Sequence, residues 1–123
     1  MPLSWEFHDE KGHLRVHVDG EWQLQSVLKL IEEIGQECRA RGYDRVFGDM
    51  STVRGPVAEL DRYLSGARVA SILGATRLAV VIAPDAILTG FAANLAARRG
   101  GRLFATKDAD EAAQWLFADE TSG

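Results

Sequence analysis

The sequence predicts an α/β domain built on a single, mostly parallel five-stranded sheet that begins with an N-terminal hairpin, in the order ββαβαβαβα. Three observations support this prediction. Apolar and polar residues alternate near the N-terminus, apolar stripes of helical spacing follow, and the segment 77–83 is, after Arg77, an uninterrupted apolar run typical of a buried parallel strand. A chain of 123 residues has the size of one domain, which we predict to span residues 1–123 with a frayed end at 119–123.

The N-terminal hairpin is predicted from period-two alternation. Residues 4–10 and 13–18 each alternate, and the turn-like residues 9–12 separate them. Trp22 follows in a predicted loop, where we expect its side chain to be exposed. The polar face of the second strand carries His13, Arg15 and His17.

The first helix is predicted over residues 23–41, where apolar residues recur three, four or seven apart and Gly42 provides a left-handed cap. Cys38 lies on this apolar stripe, so we interpret it as a core residue and not as a nucleophile. A short strand over residues 45–50 and a loop over residues 51–55 are predicted to follow.

The second half of the chain repeats the alternation of helix and strand. Pro56 suits the first turn of a second helix, for which the sequence predicts an inward stripe that includes Leu60 and Ala70. A third helix is predicted over residues 86–99, then a brief strand over 102–105, then a last helix capped by Asp108. Strands that alternate with helices imply a parallel sheet with right-handed crossovers.

The composition excludes several classes of protein. With 46% hydrophobic residues, 26% charged residues and a net charge of −4, the chain should fold and should not bind nucleic acid, which requires a basic surface. The single cysteine rules out an intramolecular disulfide and favours a cytoplasmic location. No secretory leader and no run of about 18 apolar residues are present, so we expect no membrane insertion.

Two local patterns accompany the predicted element order. The first is the segment 48–53, which follows a predicted strand. The second comprises Leu95, Ala96, Arg99, Gly100, Leu103, Phe104, Ala112, Trp115 and Leu116. Together with the element order, these patterns resemble the STAS domain superfamily, in particular its bacterial, uncharacterised SpoIIAA-like branch, whose fold is also similar to that of CRAL-TRIO lipid-transfer domains. The resemblance implies a non-catalytic, regulatory protein-interaction domain.

A phosphorylation switch is the best-known property of one branch of this superfamily. Its anti-sigma-factor antagonists carry a strand ending in Asp-Leu-Ser and then a serine at a helix N-terminus that a kinase phosphorylates. Asp49, Met50 and Ser51 resemble the strand end, but the equivalent helix start has Gly55 and Pro56 in place of the phosphoacceptor. The nearest hydroxyls, on Ser51 and Thr52, lie upstream of this helix start and are therefore only weak candidates for phosphorylation.

The predicted loop 49–55 is a candidate binding site, because ligands of open α/β sheets bind between a strand end and a helix start. Free N–H groups there would favour an anion, and Arg54 would add a positive charge. The alternative is that Asp49 and Ser51 only satisfy backbone groups of a turn. The full set of predicted binding residues is Asp49, Ser51, Thr52, Arg54, Leu88 and Phe91.

The predicted third helix is apolar on almost every face, so another surface must bury it. That surface is either the domain's own core, a protein partner or second copy of the chain, or an apolar ligand. We rank a protein-interaction module first. We rank a small apolar-ligand or lipid-binding domain of CRAL-TRIO-like type second, because so short a chain leaves little volume for a pocket.

No catalytic or metal-binding motif accompanies these candidates. The sequence lacks a Gly-x-Ser-x-Gly elbow, a Walker loop and a Cys/His pair, so we expect no enzymatic activity and no cofactor. His13 and His17 share a strand face and could present two imidazoles to a metal. No cysteine or carboxylate at recognisable spacing accompanies them, so we predict a solvated polar face and no metal.

Overall fold

The structure, a computed structural model, describes residues 1–86 and 91–118, with the backbone alone for residues 91–93 and 95. The described residues form one five-stranded sheet and four helices in the predicted order, while residues 119–123 lie outside them. The elements are β1 (Ser4–Glu10), β2 (His13–Glu21), α1 (Leu24–Arg41), β3 (Arg45–Arg54), α2 (Glu59–Leu73), β4 (Arg77–Ile82), α3 (Phe91–Arg98), β5 (Arg102–Thr106) and α4 (Ala109–Leu116).

The strands lie in the sheet in chain order, β1-β2-β3-β4-β5. β1 pairs antiparallel with β2, and the other neighbours are parallel, which confirms the mixed, mostly parallel sheet. Each connection between parallel strands leads to the next strand in the same direction across the sheet. Because these crossovers share one handedness, α1, α2 and α3 lie in one layer on the same face of the sheet. A sheet whose strand order never reverses has no topological switch point, the crevice where such sheets commonly bind ligands.

The two faces of the sheet are covered unequally. The inner face, under α1, α2 and α3, carries the main core, in which Leu14, Val18 and Val46 are fully buried. The outer face is covered by α4 only over β3, β4 and β5, where Phe47 and Leu116 belong to a second, smaller core. The outer face of β1 and β2 is left polar.

Helix α1 agrees with its prediction. Its buried stripe includes Val27, Ile31, Ile34 and Cys38, and Gly42 ends it with φ +74° while its N–H donates to the Cys38 carbonyl. Burial raises the pKa of the Cys38 thiol to about 11, so the thiol stays protonated and unreactive near neutral pH. Among the described helices, none combines the length and the hydrophobicity needed to cross a bilayer.

The predicted end of β3 and start of α2 are wrong. β3 continues through the predicted loop to Arg54, because β2 also continues to Glu21 and pairs with it. Gly55 then adopts φ +105°, and α2 begins only at Glu59, so Pro56 lies outside its first turn. β1 covers residues 4–10 as predicted, but the hairpin turn is shorter than the predicted residues 9–12, since Asp9 and Glu10 still pair with β2.

The predicted inward stripe of α2 is wrong at the start of the helix, although Ala70 is buried as predicted. Leu60, predicted to face inward, is 65% exposed. The buried side of α2 is formed mainly by small residues, which allows α1 to approach so closely that a Cβ on Gly35 would lie 2.6 Å from Cγ2 of Ile72. The buried residues of α2 are Ser65, Gly66, Val69, Ala70 and Leu73.

Candidate functional site

A cavity of about 660 Å³ lies between the inner face of the sheet and the helix layer. This volume falls within the range of small-molecule pockets, about 300–1,000 Å³. Its lining is overwhelmingly aliphatic, so it suits an apolar occupant. The strands contribute Val16, Val18, Gly48, Met50, Leu78, Val80 and Ile82, and the helices contribute Val27, Leu30, Ile31, Ile34 and Val69.

The exposure of the interior strand β4 is consistent with this cavity. Leu78, at the start of the strand, is 5% exposed, as expected beneath a helix layer. Val80 and Ile82 point to the same inner face, yet each keeps solvent-accessible surface. Interior strands covered by helices are normally buried on both faces. Val80 and Ile82 therefore line an accessible part of the cavity at the carboxyl end of β4.

The mouth of the cavity, which we define by Gly55, Pro56 and Asp85, lies where the lining residues become exposed. Trp22 forms part of the adjoining wall, and its indole Nε1 donates a hydrogen bond of 2.8 Å to Asp61 Oδ2. The prediction that Trp22 is exposed is therefore wrong, because the ring packs against the main core and is only partly accessible.

Two polar side chains of α2 also line the cavity. Arg62 and Ser65 are three residues apart and Val69 follows four residues later, so the three share one face of the helix. Ser65 Oγ donates to the carbonyl oxygen of Asp61 at 2.7 Å. The lining thus combines an aliphatic interior with one guanidinium near the mouth.

A second group of polar residues lies on the outer face of the sheet at a β-bulge. In the register of β2 and β3, His17 pairs with Asp49 and Asp19 pairs with Thr52, so β3 carries one extra residue between the two pairs. The extra residue interrupts the alternation of side chains and lets both Ser51 and Thr52 reach the outer face. We call His17, Asp19, Asp49, Ser51 and Thr52 the outer-face cluster.

Hydrogen bonds connect the outer-face cluster from end to end. His17 Nδ1 lies 3.3 Å from Asp49 Oδ2, and His17 Nε2 lies 3.0 Å from Asp19 Oδ2. Ser51 Oγ donates to Asp49 Oδ1 at 2.7 Å, and Thr52 Oγ1 donates to Asp19 Oδ1. Both hydroxyls thus donate to carboxylates and not to the His17 imidazole.

The structure brings together only some of the predicted binding residues. Asp49, Ser51 and Thr52 meet in the outer-face cluster, whereas Arg54 donates to the Ser51 carbonyl at 3.4 Å. The proposed anion site at a helix start is not formed by these residues, because β3 continues to Arg54 and α2 begins at Glu59.

Leu88, the next predicted contact, lies outside the described residues. Phe91 is the first residue of α3, and its side chain also lies outside them. Within the described part of the chain, no group of three or more His, Cys, Asp or Glu side chains could hold a metal ion. His13 does not join His17 in the outer-face cluster; its ring packs edge-on against Phe117, with 5.0 Å between the ring centroids.

The contacts of Asp49 in the outer-face cluster should make the stability of the fold depend on pH. Partial burial opposes its ionisation, but hydrogen bonds from the Ser51 hydroxyl and N–H and from His17 outweigh burial and lower the pKa of the carboxyl. A lowered pKa in the folded state contributes stability above the unfolded value of about 3.9, and this stability is lost as the pH falls through the folded value.

We therefore expect Asp49→Asn to lower the free energy of unfolding by about 1 kcal/mol near neutral pH and to have a shrinking effect as the pH falls below about 4. Urea denaturation of both proteins across this pH range measures the difference. A difference that stays constant with pH would contradict the assigned contacts of Asp49.

The strand order and the mixed pairing described above define a SpoIIAA-like fold, which confirms the predicted resemblance at the level of the fold. A solved structure with this fold, an uncharacterized protein of the DUF3478 family from Shewanella loihica PV-4, is similar with a TM-score of 0.50. The two chains are 16% identical, and the match covers 93% of each. No family model and no curated protein sequence matches the chain.

Proposed function

We propose that this chain is a non-catalytic binding domain whose inner cavity holds a small apolar molecule. The observation that carries the proposal is the aliphatic cavity of about 660 Å³ between the sheet and the helix layer. Chain length alone argued for ranking this function second. The volume of the cavity reverses that order in favour of a ligand-binding domain.

The physical argument concerns what an empty cavity would cost. Side chains that line an empty apolar space lose the dispersion contacts that close packing would provide. A ligand that fills the space restores these contacts, and because it binds only the folded state it also stabilises the protein by mass action. The chain retains partly accessible Val80 and Ile82 at this cavity where larger residues would close it.

A regulatory protein-interaction role, with another protein or a second copy of the chain as partner, is our second proposal. The outer-face cluster favours it, because its members on β2, which α4 does not cover, have accessible side chains: those of His17 and Asp19 are 38% and 44% exposed. For either role we propose a cytoplasmic location, which suits the free thiol of Cys38.

Filling the cavity tests the first proposal. We expect Val80→Phe to abolish binding of the uncharged dye Nile red while leaving the thermal midpoint unchanged or higher, because the new ring occupies existing space. Val81→Phe is the matched control, since Val81 is the next residue on β4 but is 6% exposed and packs under α4. Overpacking there should cost about 1–3 kcal/mol without touching the cavity.

The measurements are Nile red fluorescence, thermal denaturation, and native mass spectrometry combined with light scattering of freshly purified protein. Added mass on the native chain that disappears in Val80→Phe supports the ligand-binding role. If Val80→Phe unfolds as readily as Val81→Phe and the native chain binds no dye, the ligand-binding role is wrong. A ligand-free dimer would then favour the interaction role.

A further inference from the structure

We propose that the occupant of the cavity is an amphiphile with an anionic head group, and that Arg62 is the residue that selects this charge. The inference rests on the proposed function and adds the chemical class of the ligand. Three observations support it. Arg62 lines the cavity, its guanidinium has no partner among the described residues, and the Ser65 hydroxyl nearby already donates to backbone carbonyls.

Arg62 is placed by the helix on which it lies. It shares the cavity-facing side of α2 with Ser65 and Val69, of which Val69 is 2% exposed. Because α2 begins at Glu59, Arg62 lies within one turn of the helix start and close in sequence to the mouth residues Gly55 and Pro56. A ligand tail in the aliphatic interior would therefore leave its head group near Arg62.

The guanidinium of Arg62 has no carboxylate partner within the described part of the chain, unlike several other arginines. Arg68, on the same helix, pairs with Glu32 at 2.6 Å, and Arg41 pairs with Glu37 at 2.7 Å. A cation beside an apolar space is costly unless a counter-charge accompanies it. An anionic head group would supply that charge, whereas an uncharged ligand would leave the guanidinium unpaired.

The other polar groups at this end of the cavity do not replace Arg62. The Ser65 hydroxyl already donates to the carbonyl oxygens of Asp61 and Arg62, so its proton is not free for a ligand. The Asp61 carboxylate accepts the Trp22 indole N–H, which holds it against the wall. Asp85 is an exposed acid at the mouth and would repel an anion, so Arg62 must supply the attraction.

The start of α2 adds a weaker attraction of the same sign. Ala58 precedes the helix and provides no side-chain hydrogen bond to its first N–H groups, which carry the positive end of the helix dipole. Glu59 and Asp61 in the first turn offset part of this field. The selectivity should therefore depend on the guanidinium itself.

Three probes with the same hydrocarbon chain test the inference: tetradecanol, myristate and tetradecyl phosphate, each below its micelle-forming concentration and at about pH 8, where both anions are ionised. Calorimetry or tryptophan fluorescence measures binding to the intact chain. We expect both anions to bind at least about tenfold more tightly than the alcohol, the ratio typical of one charge-assisted hydrogen bond. Inorganic phosphate should not displace them, because it has no tail.

The variants Arg62→Met and Arg62→Lys separate charge from packing. Arg62→Met should abolish the preference for anions and leave the affinity for tetradecanol unchanged, while Arg62→Lys should retain most of the preference. Arg68→Met, on the same helix but paired with Glu32, should change neither. The relative affinities of myristate and tetradecyl phosphate decide between a carboxylate and a phosphate ester as the natural head group.

The failures of the two proposals are distinguishable. If tetradecanol binds but Arg62→Met leaves the ratio of anion to alcohol affinity unchanged, the assignment of Arg62 is wrong and the ligand-binding function stands. If the native chain binds none of the three probes, the ligand-binding function itself is wrong.

Discussion

Replacing Arg77 with alanine should lower the free energy of unfolding by about 3 kcal/mol. Arg77 is the first residue of β4 and is only 8% exposed. Its Nη1 donates to the carbonyl oxygens of Leu116 at 3.1 Å and Ala118 at 2.7 Å, where α4 ends. The arginine thus satisfies carbonyls that lack partners within the helix, and its charge opposes the negative end of the helix dipole.

The loss should be large because the alanine would leave the buried carbonyl of Leu116 without the arginine donor. Leu116, the last residue of α4, is fully buried in the smaller core, so a void at its carbonyl cannot close easily. Arg77→Lys should lose less, since it retains the charge but cannot direct a planar group of donors at several carbonyls.

Arg45 provides the matched control, since it pairs with Arg77 in the register of β3 and β4. Its guanidinium lies 5.7 Å from the centroid of the Phe117 ring, and such a contact contributes about 0.5–1 kcal/mol. Urea denaturation measures both variants. The interpretation of Arg77 as the support of α4 fails if Arg77→Ala costs no more than Arg45→Ala.

Replacing Gly20 with alanine should cost about 2–3 kcal/mol and release the N-terminal residues from the sheet. Gly20 has φ +113°, and a Cβ there would lie 2.9 Å from the carbonyl carbon of Pro2 and closer still to its oxygen. Neither atom can move easily, because the Met1 carbonyl accepts the Glu21 N–H at 3.1 Å and Leu3 is buried in the main core.

Gly12→Ala separates the collision from backbone strain. Gly12 also has a positive φ, +87°, but a Cβ there would meet nothing within 4 Å, so the variant should cost only about 1 kcal/mol. Chemical denaturation gives the free energies, and limited proteolysis with N-terminal sequencing reports the release of residues 1–3. Equal costs for the two variants would show that the contact with Pro2 is unimportant.

Local periodicity predicted α1 and β4 correctly and α2 only in part, whereas the ends of β2 and β3, which depend on pairing between distant segments, were missed. The stripe of α1 and the apolar run of β4 follow from the order of neighbouring residues alone. The continuation of β3 to Arg54 depends instead on pairing with β2, about 30 residues earlier, which no local pattern encodes. The inward side of α2 was predicted correctly at Ala70 and wrongly at Leu60, because its buried side consists mainly of small residues that carry a weak hydrophobic signal.

The candidate sites show the same difference between residues that are close in sequence and residues that strand pairing brings together. Asp49, Ser51 and Thr52 were found because they are near one another in sequence, whereas the contacts of His17 with Asp19 and Asp49 were missed because they depend on the pairing of β2 with β3 at a β-bulge. The cavity could not be located from the sequence, because the pattern of aliphatic residues is the same whether their side chains touch one another or enclose a space. Arg62 did leave a signal, a charged residue at helical spacing from the buried Val69.

The one-sided arrangement of α1, α2 and α3 determines how the cavity can open. On one side the cavity is bounded by the sheet, which backbone hydrogen bonds hold together. On the other side it is bounded by the helix layer, which side-chain packing holds in place. A molecule could enter or leave when the helix layer is displaced, while the backbone hydrogen bonds of the sheet stay intact. Local opening of the helix layer would then set the residence time of a ligand, and the amide protons of β3 and β4 would remain protected from exchange throughout.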